Sequence, residues 1–261
     1  MSEQSNNNNN NNNKVYDDND NTSGGDTDKR KGGLISFLTK IENIKAIQAI
    51  TGSVIATFYQ VHLVTIVGSH FGESGFNGLL EYFRPFYQNR VFETLLAGSV
   101  VVHLSANLYM IFSGRKDNTQ FYERAPGHTK LPSPYGLHQI AGALVSVFIL
   151  GHTAATRIPA LWIKGYQLNY KDIHYTLKQW GVVFYPYYTL FSASMYYHFV
   201  FNNVRIFNKY ILGRKDYRKR ELQSKNVWYG VATFGVILSF SCCLALGGQY
   251  FRVNPLYSLK K

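Results

Sequence analysis

The sequence predicts an all-α membrane protein, a bundle of five transmembrane helices. Three observations lead to this fold class. Uncharged stretches of at least 20 residues recur five times among the 261 residues, and this length matches the ~20 helical residues that cross a bilayer. Aromatic residues make up 16% of the chain and charged residues only 16%, which is typical of lipid-facing helices. Lys and Arg lie in short clusters between the apolar stretches, as in loops at an anionic membrane surface.

The first 33 residues form a low-complexity tail. The run Asn6–Asn13 is followed by Asp, Ser, Gly and Lys with almost no apolar side chains. Such a segment cannot bury enough surface to offset the entropy of ordering, so we predict that residues 1–33 are disordered. We expect the five-helix domain to cover residues 34–256.

The predicted spans each end at glycine, proline or a charged residue. Glycine and serine within them suit close helix packing in lipid. The spans lie at 46–68, 94–113, 137–156, 181–204 and 227–248.

The distribution of positive charge predicts an orientation. Eighteen of the 27 Lys and Arg residues lie in residues 1–45 and in the loops at 114–136 and 205–226, and nine lie on the other side. The positive-inside tendency therefore places the N-terminus in the cytosol. Because these clusters account for the net charge of +12, we expect a lipid bilayer and no nucleic acid as the partner.

Residues with catalytic potential are sparse. The sequence contains no phosphate-binding glycine loop, no HExxH and no CxxC. Adjacent Cys242 and Cys243 are unsuited to an ordinary disulfide or a metal clip. We interpret Glu93 as a favourable charge at the start of the second span, and a proton or quinone contact is the alternative. The sequence thus favours a protein that is not an enzyme.

An internal duplication is predicted from matches between alternate spans. An offset of 90 residues superimposes the first span on the third, and an offset of 95 superimposes the second on the fourth. The matched pairs are Ile50 with Ile140, Gly52 with Gly142, Phe58 with Phe148, His62 with His152, His103 with His198, Asn107 with Asn202, Ile111 with Ile206, and Phe112 with Phe207.

Four of these matched residues are histidines inside apolar spans. Because alternate spans run in the same direction and rise ~1.5 Å per residue, His62 and His152 are expected at one depth and His103 and His198 at another. A haem iron takes one imidazole from each of two facing helices, so the spacing predicts up to two haem b groups, with these four histidines as iron ligands. Phe58 and Phe148 each lie four residues before a histidine and suit packing on a porphyrin. Arg157, together with Arg84 and Arg90, is expected at one rim of the helix bundle, where the haem propionates would need cations.

A second interpretation needs no cofactor. Asn107 and Asn202 each lie four residues after a histidine on the same helix face, so each amide could satisfy an imidazole nitrogen. The remaining histidines are interpreted as ordinary surface residues: His70, His128, His138 and His174.

The sequence also resembles the transmembrane domain of fungal mitochondrial adapter proteins over about residues 44–250. The residues that carry the resemblance are Tyr87-Gln88 with Glu93 and His103, and Gly136-x-His138 with Gly142, His152 and Arg157. The resemblance implies a five-helix protein of the mitochondrial outer membrane that acts in lipid homeostasis and recruits a bridge-like lipid-transfer protein on the side of the N-terminal tail. More distantly, one histidine per helix is similar to the dihaem cytochrome b anchors of succinate dehydrogenase and fumarate reductase.

One departure from the adapter pattern concerns proline. The adapters are thought to present a Pro-x-Pro peptide in the N-terminal tail, whereas residues 1–33 contain no proline. Pro132-Ser133-Pro134, in the second loop, is the only such tripeptide. Two hypotheses follow: a non-enzymatic membrane adapter in lipid homeostasis, and a b-type cytochrome for electron transfer or redox sensing.

Overall fold

The computed structural model describes residues 40–113, 132–163, 166–214, 216, 220 and 223–253. From Ile41 onward they belong to one compact unit that ends at Lys261. The predicted tail and His128 lie outside the described residues.

The described residues are all-helical, in agreement with the predicted fold class. The helices are α1 Ile41–Val67, α2 Gly72–Tyr87, α3 Arg90–Phe112, α4 Pro134–Trp162, α5 Tyr170–Gln179, α6 Gly181–Ile206 and α7 Lys225–Leu246. Each of the five predicted spans coincides with one of the long helices α1, α3, α4, α6 and α7. A 3-10 turn at Gly68–Phe71 leads into α2, and a π turn at Phe207–Ile211 follows α6.

Four helical stretches are long and apolar enough to cross a membrane: Glu42–Tyr87, Arg90–Phe112, Pro134–Trp162 and Lys225–Leu246. They make the chain a multi-pass membrane protein. Helix α6 has 26 residues, which is enough to span a bilayer. Its tyrosines make it less apolar than the four stretches named above. A fifth crossing by α6 therefore stays a prediction.

Local capping chemistry determines where three helices begin. The Asn89 side chain accepts a hydrogen bond from the backbone N–H of Phe92 at 2.9 Å, which caps α3. Ser133 accepts from the N–H of Gly136 at 3.0 Å and caps α4. A capping box of Asn169 and Asp172 starts α5. These side chains satisfy N–H groups that the first helical turn leaves without partners.

Two helical hairpins form the body of the fold. Helix α1 packs along α3, α4 packs along α6, and α7 packs along α6. Among the described residues, close backbone contacts between the pairs α1/α3 and α4/α6 are few by comparison. The backbones of the two hairpins are therefore farther apart than the helices within each hairpin.

Helices α2 and α5 were not predicted, because both lie between the predicted spans. Both helices are amphipathic. Their apolar faces meet the end of α7 in a cluster that we call the cap: Phe76, Leu80, Tyr170, Leu177 and Leu246.

Tyr170 anchors the cap. Its side chain is fully buried, and burial raises the pKa of its hydroxyl. The protonated hydroxyl donates to the Ala245 carbonyl at 2.6 Å, and the Tyr170 backbone N–H donates to Asn77 at 3.0 Å. Three helices are thus joined at the end of the bundle opposite the start of α1.

Candidate functional site between the helical hairpins

The structure brings His62 of α1 next to His152 of α4. Their ring centroids are 6.2 Å apart and the ring planes are inclined by 67°. This contact joins the two hairpins at the depth that the helical rise predicts. The Nδ1 atom of His152 is buried and has no hydrogen-bond partner among the described residues.

Aromatic rings surround this histidine pair. Phe58 stacks on His62 with centroids 5.4 Å apart and an interplanar angle of 15°, as expected for residues four positions apart on one face. On the other side, Phe191 lies 5.1 Å from His152. The ring centroids of Phe148 and Phe191 are 6.0 Å apart. Phe148 therefore contacts Phe191, which in turn contacts the histidine pair. No motif or spacing in the sequence marks Phe191 as part of this site.

His103 lies against α1. Its Nδ1 atom is 3.2 Å from the Gln48 carbonyl oxygen and 3.2 Å from the Thr51 hydroxyl. A carbonyl oxygen only accepts hydrogen bonds, so Nδ1 carries the proton and the lone pair lies on Nε2. The ring approaches Gly52 closely, since a Cβ atom built there would lie 3.3 Å from His103 Cε1.

His198 has equivalent surroundings in the second hairpin. Its Nδ1 atom is 3.4 Å from the His138 carbonyl oxygen, and a Cβ atom built on Gly142 would lie 2.9 Å from its Cε1. The ring also stacks on the His138 ring, with centroids 4.1 Å apart and planes inclined by 8°. The contacts described for His103 and His198 are with their own hairpins, and ring contact between the two is not among them.

Three sequence interpretations of polar residues need correction. His138 was interpreted as a surface residue, but it is partly buried between His198 and Phe201, the latter at 4.8 Å. Asn107 was expected to satisfy the His103 imidazole; its amide instead donates to the His103 backbone carbonyl at 2.8 Å. His70 Nε2 is 2.8 Å from the hydroxyl of Ser241. The contacts of His138 and His70 join distant segments, so the sequence carries no local signal for them.

The three arginines assigned to one rim have separate environments. Arg157 forms a two-point ion pair with Glu93, of which the Nη2 to Oε2 distance is 2.8 Å. Arg84 donates to the Leu168 carbonyl at 2.8 Å and to Gln167. Arg90 lies at the first position of α3. The Glu93–Arg157 pair links α3 to α4, a role beyond the helix-dipole interpretation of Glu93.

The tripeptide Pro132-Ser133-Pro134 has a structural role at the start of α4. The Pro132 carbonyl accepts from the Tyr229 hydroxyl at 3.0 Å, and the Pro134 carbonyl accepts from the Tyr197 hydroxyl at 3.0 Å. Ser133 is the buried N-cap. These bonds account for the tripeptide as a folded turn held against α6 and α7.

Comparisons of the chain with protein-family models, with curated proteins and with solved structures give no match.

Proposed function

We propose that the chain is a membrane protein that binds a b-type haem between its two hairpins, with His62 and His152 as the two iron ligands. The observation that carries this proposal is the 6.2 Å separation of their ring centroids. Metal–imidazole bonds of ~2.0–2.1 Å put the two donor nitrogens ~4 Å apart and the ring centres roughly 6 Å apart. The observed separation fits a metal shared by both rings.

The surroundings of the pair suit a large, flat, apolar group. Phe58 and Phe191 flank the two imidazoles, and close backbone contacts between the two hairpins are few. The buried Nδ1 atom of His152 calls for a partner at this depth, since an unsatisfied polar group is costly in lipid. Haem bound there would supply reversible one-electron chemistry.

We further propose that the chain arose by duplication of a hairpin and that α6 is a fifth span. Support comes from the equivalent surroundings of two histidines. Gln48 and His138, whose carbonyls face the two Nδ1 atoms, are themselves related by the offset of 90. Iron-ligating histidines commonly donate the second ring nitrogen to a carbonyl, so His103 and His198 are proposed as ligands of a second haem.

The haem proposal is tested by titrating haem into the full chain, purified in detergent, and recording its absorption spectrum. Wild type is expected to develop a sharp low-spin Soret band. His62→Ala and His152→Ala are each expected to lose the part of this band that comes from haem bound between His62 and His152. His70→Ala serves as the control, because His70 lies in the 3-10 turn that leads to the cap. Wild type that takes up no haem, or His62→Ala that binds like His70→Ala, contradicts the proposal.

A second proposed function is that of a non-enzymatic adapter of the mitochondrial outer membrane in lipid homeostasis. Its support is that two residues carrying the family resemblance meet in space, because Glu93 binds Arg157. The N-terminal tail is proposed to lie in the cytosol and to face a bridge-like lipid-transfer protein.

The adapter proposal is tested by imaging the tagged full chain and by measuring mitochondrial phospholipids after deletion of its gene. Mitochondrial surface labelling together with an altered phospholipid profile is expected. Labelling of the plasma membrane with unchanged mitochondrial lipids contradicts the adapter role, and the haem titration is unaffected by that outcome.

A further inference from the structure

We infer that the outer face of α3 binds one acyl chain of an anionic phospholipid, with the lipid headgroup at Arg90. This site is separate from the histidine pair and does not depend on haem. Three observations support it: an elongated groove along α3, the positive charge of Arg90 at one end of the groove, and Gly98, which has no side chain to fill the groove.

The groove has a volume of about 750 Å³ and follows α3 from Arg90 to Val102, with Thr51 of α1 on its wall. The twelve helical steps from Arg90 to Val102 correspond to ~18 Å at ~1.5 Å per residue. Between its ends the groove is lined by Val91 and Leu95 together with Thr94, Gly98 and Ser99, and the surface exposed to the groove is mainly apolar. An elongated apolar groove of this length fits an extended acyl chain.

The groove lies on the lipid-facing side of α3. Glu93 faces α4, where it binds Arg157, and Gly98 in the groove is ~140° away around the helix axis at ~100° per residue. Val91 and Leu95 are also exposed, by 80% and 52% of their surface, whereas Ser99 forms the buried side of the groove next to α1. In a bilayer this face contacts acyl chains, because the solvent there is hydrocarbon.

Gly98 creates the space in the groove. A Cβ atom built at Gly98 meets no atom within 4 Å, so the glycine is not required for helix packing within the described structure. Leucine would fit without steric conflict and would occupy the groove. Gly230 of α7 also meets no atom within 4 Å and provides a matched control on another helix.

Arg90 favours a negative headgroup. It is exposed and is the first residue of α3, which places it at the end of a predicted span, at headgroup depth. The nearby carboxylate of Glu93 is held by Arg157, so it is already neutralised by another arginine. A guanidinium recognises phosphate through paired hydrogen bonds, and it therefore selects an anionic lipid over a zwitterionic one.

The test uses the full chain in phosphatidylcholine vesicles that contain a trace of phosphatidylglycerol with a photoactivatable acyl chain. After illumination, labelled peptides are mapped by mass spectrometry. Wild type is expected to be labelled preferentially between Val91 and Val102. Gly98→Leu is expected to reduce this labelling to that of other lipid-facing helices, whereas Gly230→Leu leaves it unchanged. Circular dichroism checks that both variants keep their helices.

A second experiment tests the headgroup. It repeats the labelling with phosphatidylcholine, instead of phosphatidylglycerol, as the lipid with the photoactivatable acyl chain. Arg90→Gln is expected to lower the preference for phosphatidylglycerol about fivefold, the effect of one basic residue near an anionic lipid. Labelling spread evenly over α3 and α7 in wild type, or unchanged in Gly98→Leu, overturns the groove. Equal labelling by the two lipids in wild type overturns the anionic headgroup.

Discussion

The close approach of histidine rings to two glycines leads to a graded prediction for alanine substitutions. A methyl group on Gly142 would lie 2.9 Å from His198, one on Gly52 would lie 3.3 Å from His103, and one on Gly151 would meet no atom within 4 Å. The space available for a methyl group therefore increases from Gly142 to Gly52 to Gly151. Gly142 and Gly151 lie on the same helix, α4.

The expected free energies follow from two opposing effects. Alanine in place of glycine favours a helix by about 1 kcal/mol, and an extra methyl group in a packed site costs about 1–3 kcal/mol. Gly151→Ala should stabilise the protein by about 1 kcal/mol, since only the first effect applies. Gly142→Ala should destabilise it by up to about 2 kcal/mol, since the ring of His198 must move. Gly52→Ala should lie between them.

The assay is unfolding in detergent, followed by tryptophan fluorescence during heating and during titration with a denaturing detergent. Haem titration of the same samples reports whether the imidazoles have moved. The predicted order of stability is Gly151→Ala, then Gly52→Ala, then Gly142→Ala. If Gly142→Ala is as stable as Gly151→Ala, the glycine contacts with the histidine rings do not exist as described.

Three further substitutions test contacts outside the histidine pair. Glu93→Gln should lower the stability by about 1–3 kcal/mol, because it removes charge-assisted bonds to the partly buried Arg157; an unchanged melting temperature contradicts this. Tyr170→Phe should cost about 1 kcal/mol by removing the hydroxyl's bond to the Ala245 carbonyl, which keeps its bond from the Gly248 N–H, and hydrogen exchange should increase in α5 first. Ser133→Ala should cost about 1 kcal/mol through the lost cap of α4, and equal stability in a thermal unfolding experiment would refute that role.

The sequence was sufficient to predict the long helices and the approach of two histidines. Uncharged stretches of bilayer length locate α1, α3, α4 and α7, because the solvent imposes that length. The meeting of His62 with His152 follows from helical rise and from the direction of alternate spans. Both inferences depend on regular geometry that holds along a whole helix.

Contacts that depend on rotation about the helix axes or on distant segments were not predicted. The stacking of His138 on His198 and the pairing of Glu93 with Arg157 each join residues about 60 positions apart. Helix α5 was missed because its apolar face covers only a few positions, such as Tyr170 and Leu177, within a polar segment. The spacing of seven between them was a usable signal for an amphipathic helix.

Electron paramagnetic resonance of the ferric, haem-loaded protein tests the two-histidine site most directly. Two imidazole ligands make the iron low-spin, and the 67° inclination between the His62 and His152 planes predicts a strongly anisotropic low-spin signal. This strongly anisotropic component should disappear in His152→Ala, whereas the signal of a haem bound by His103 and His198 should remain. A high-spin signal in wild type, or a strongly anisotropic component that is unchanged in both His62→Ala and His152→Ala, would contradict the account.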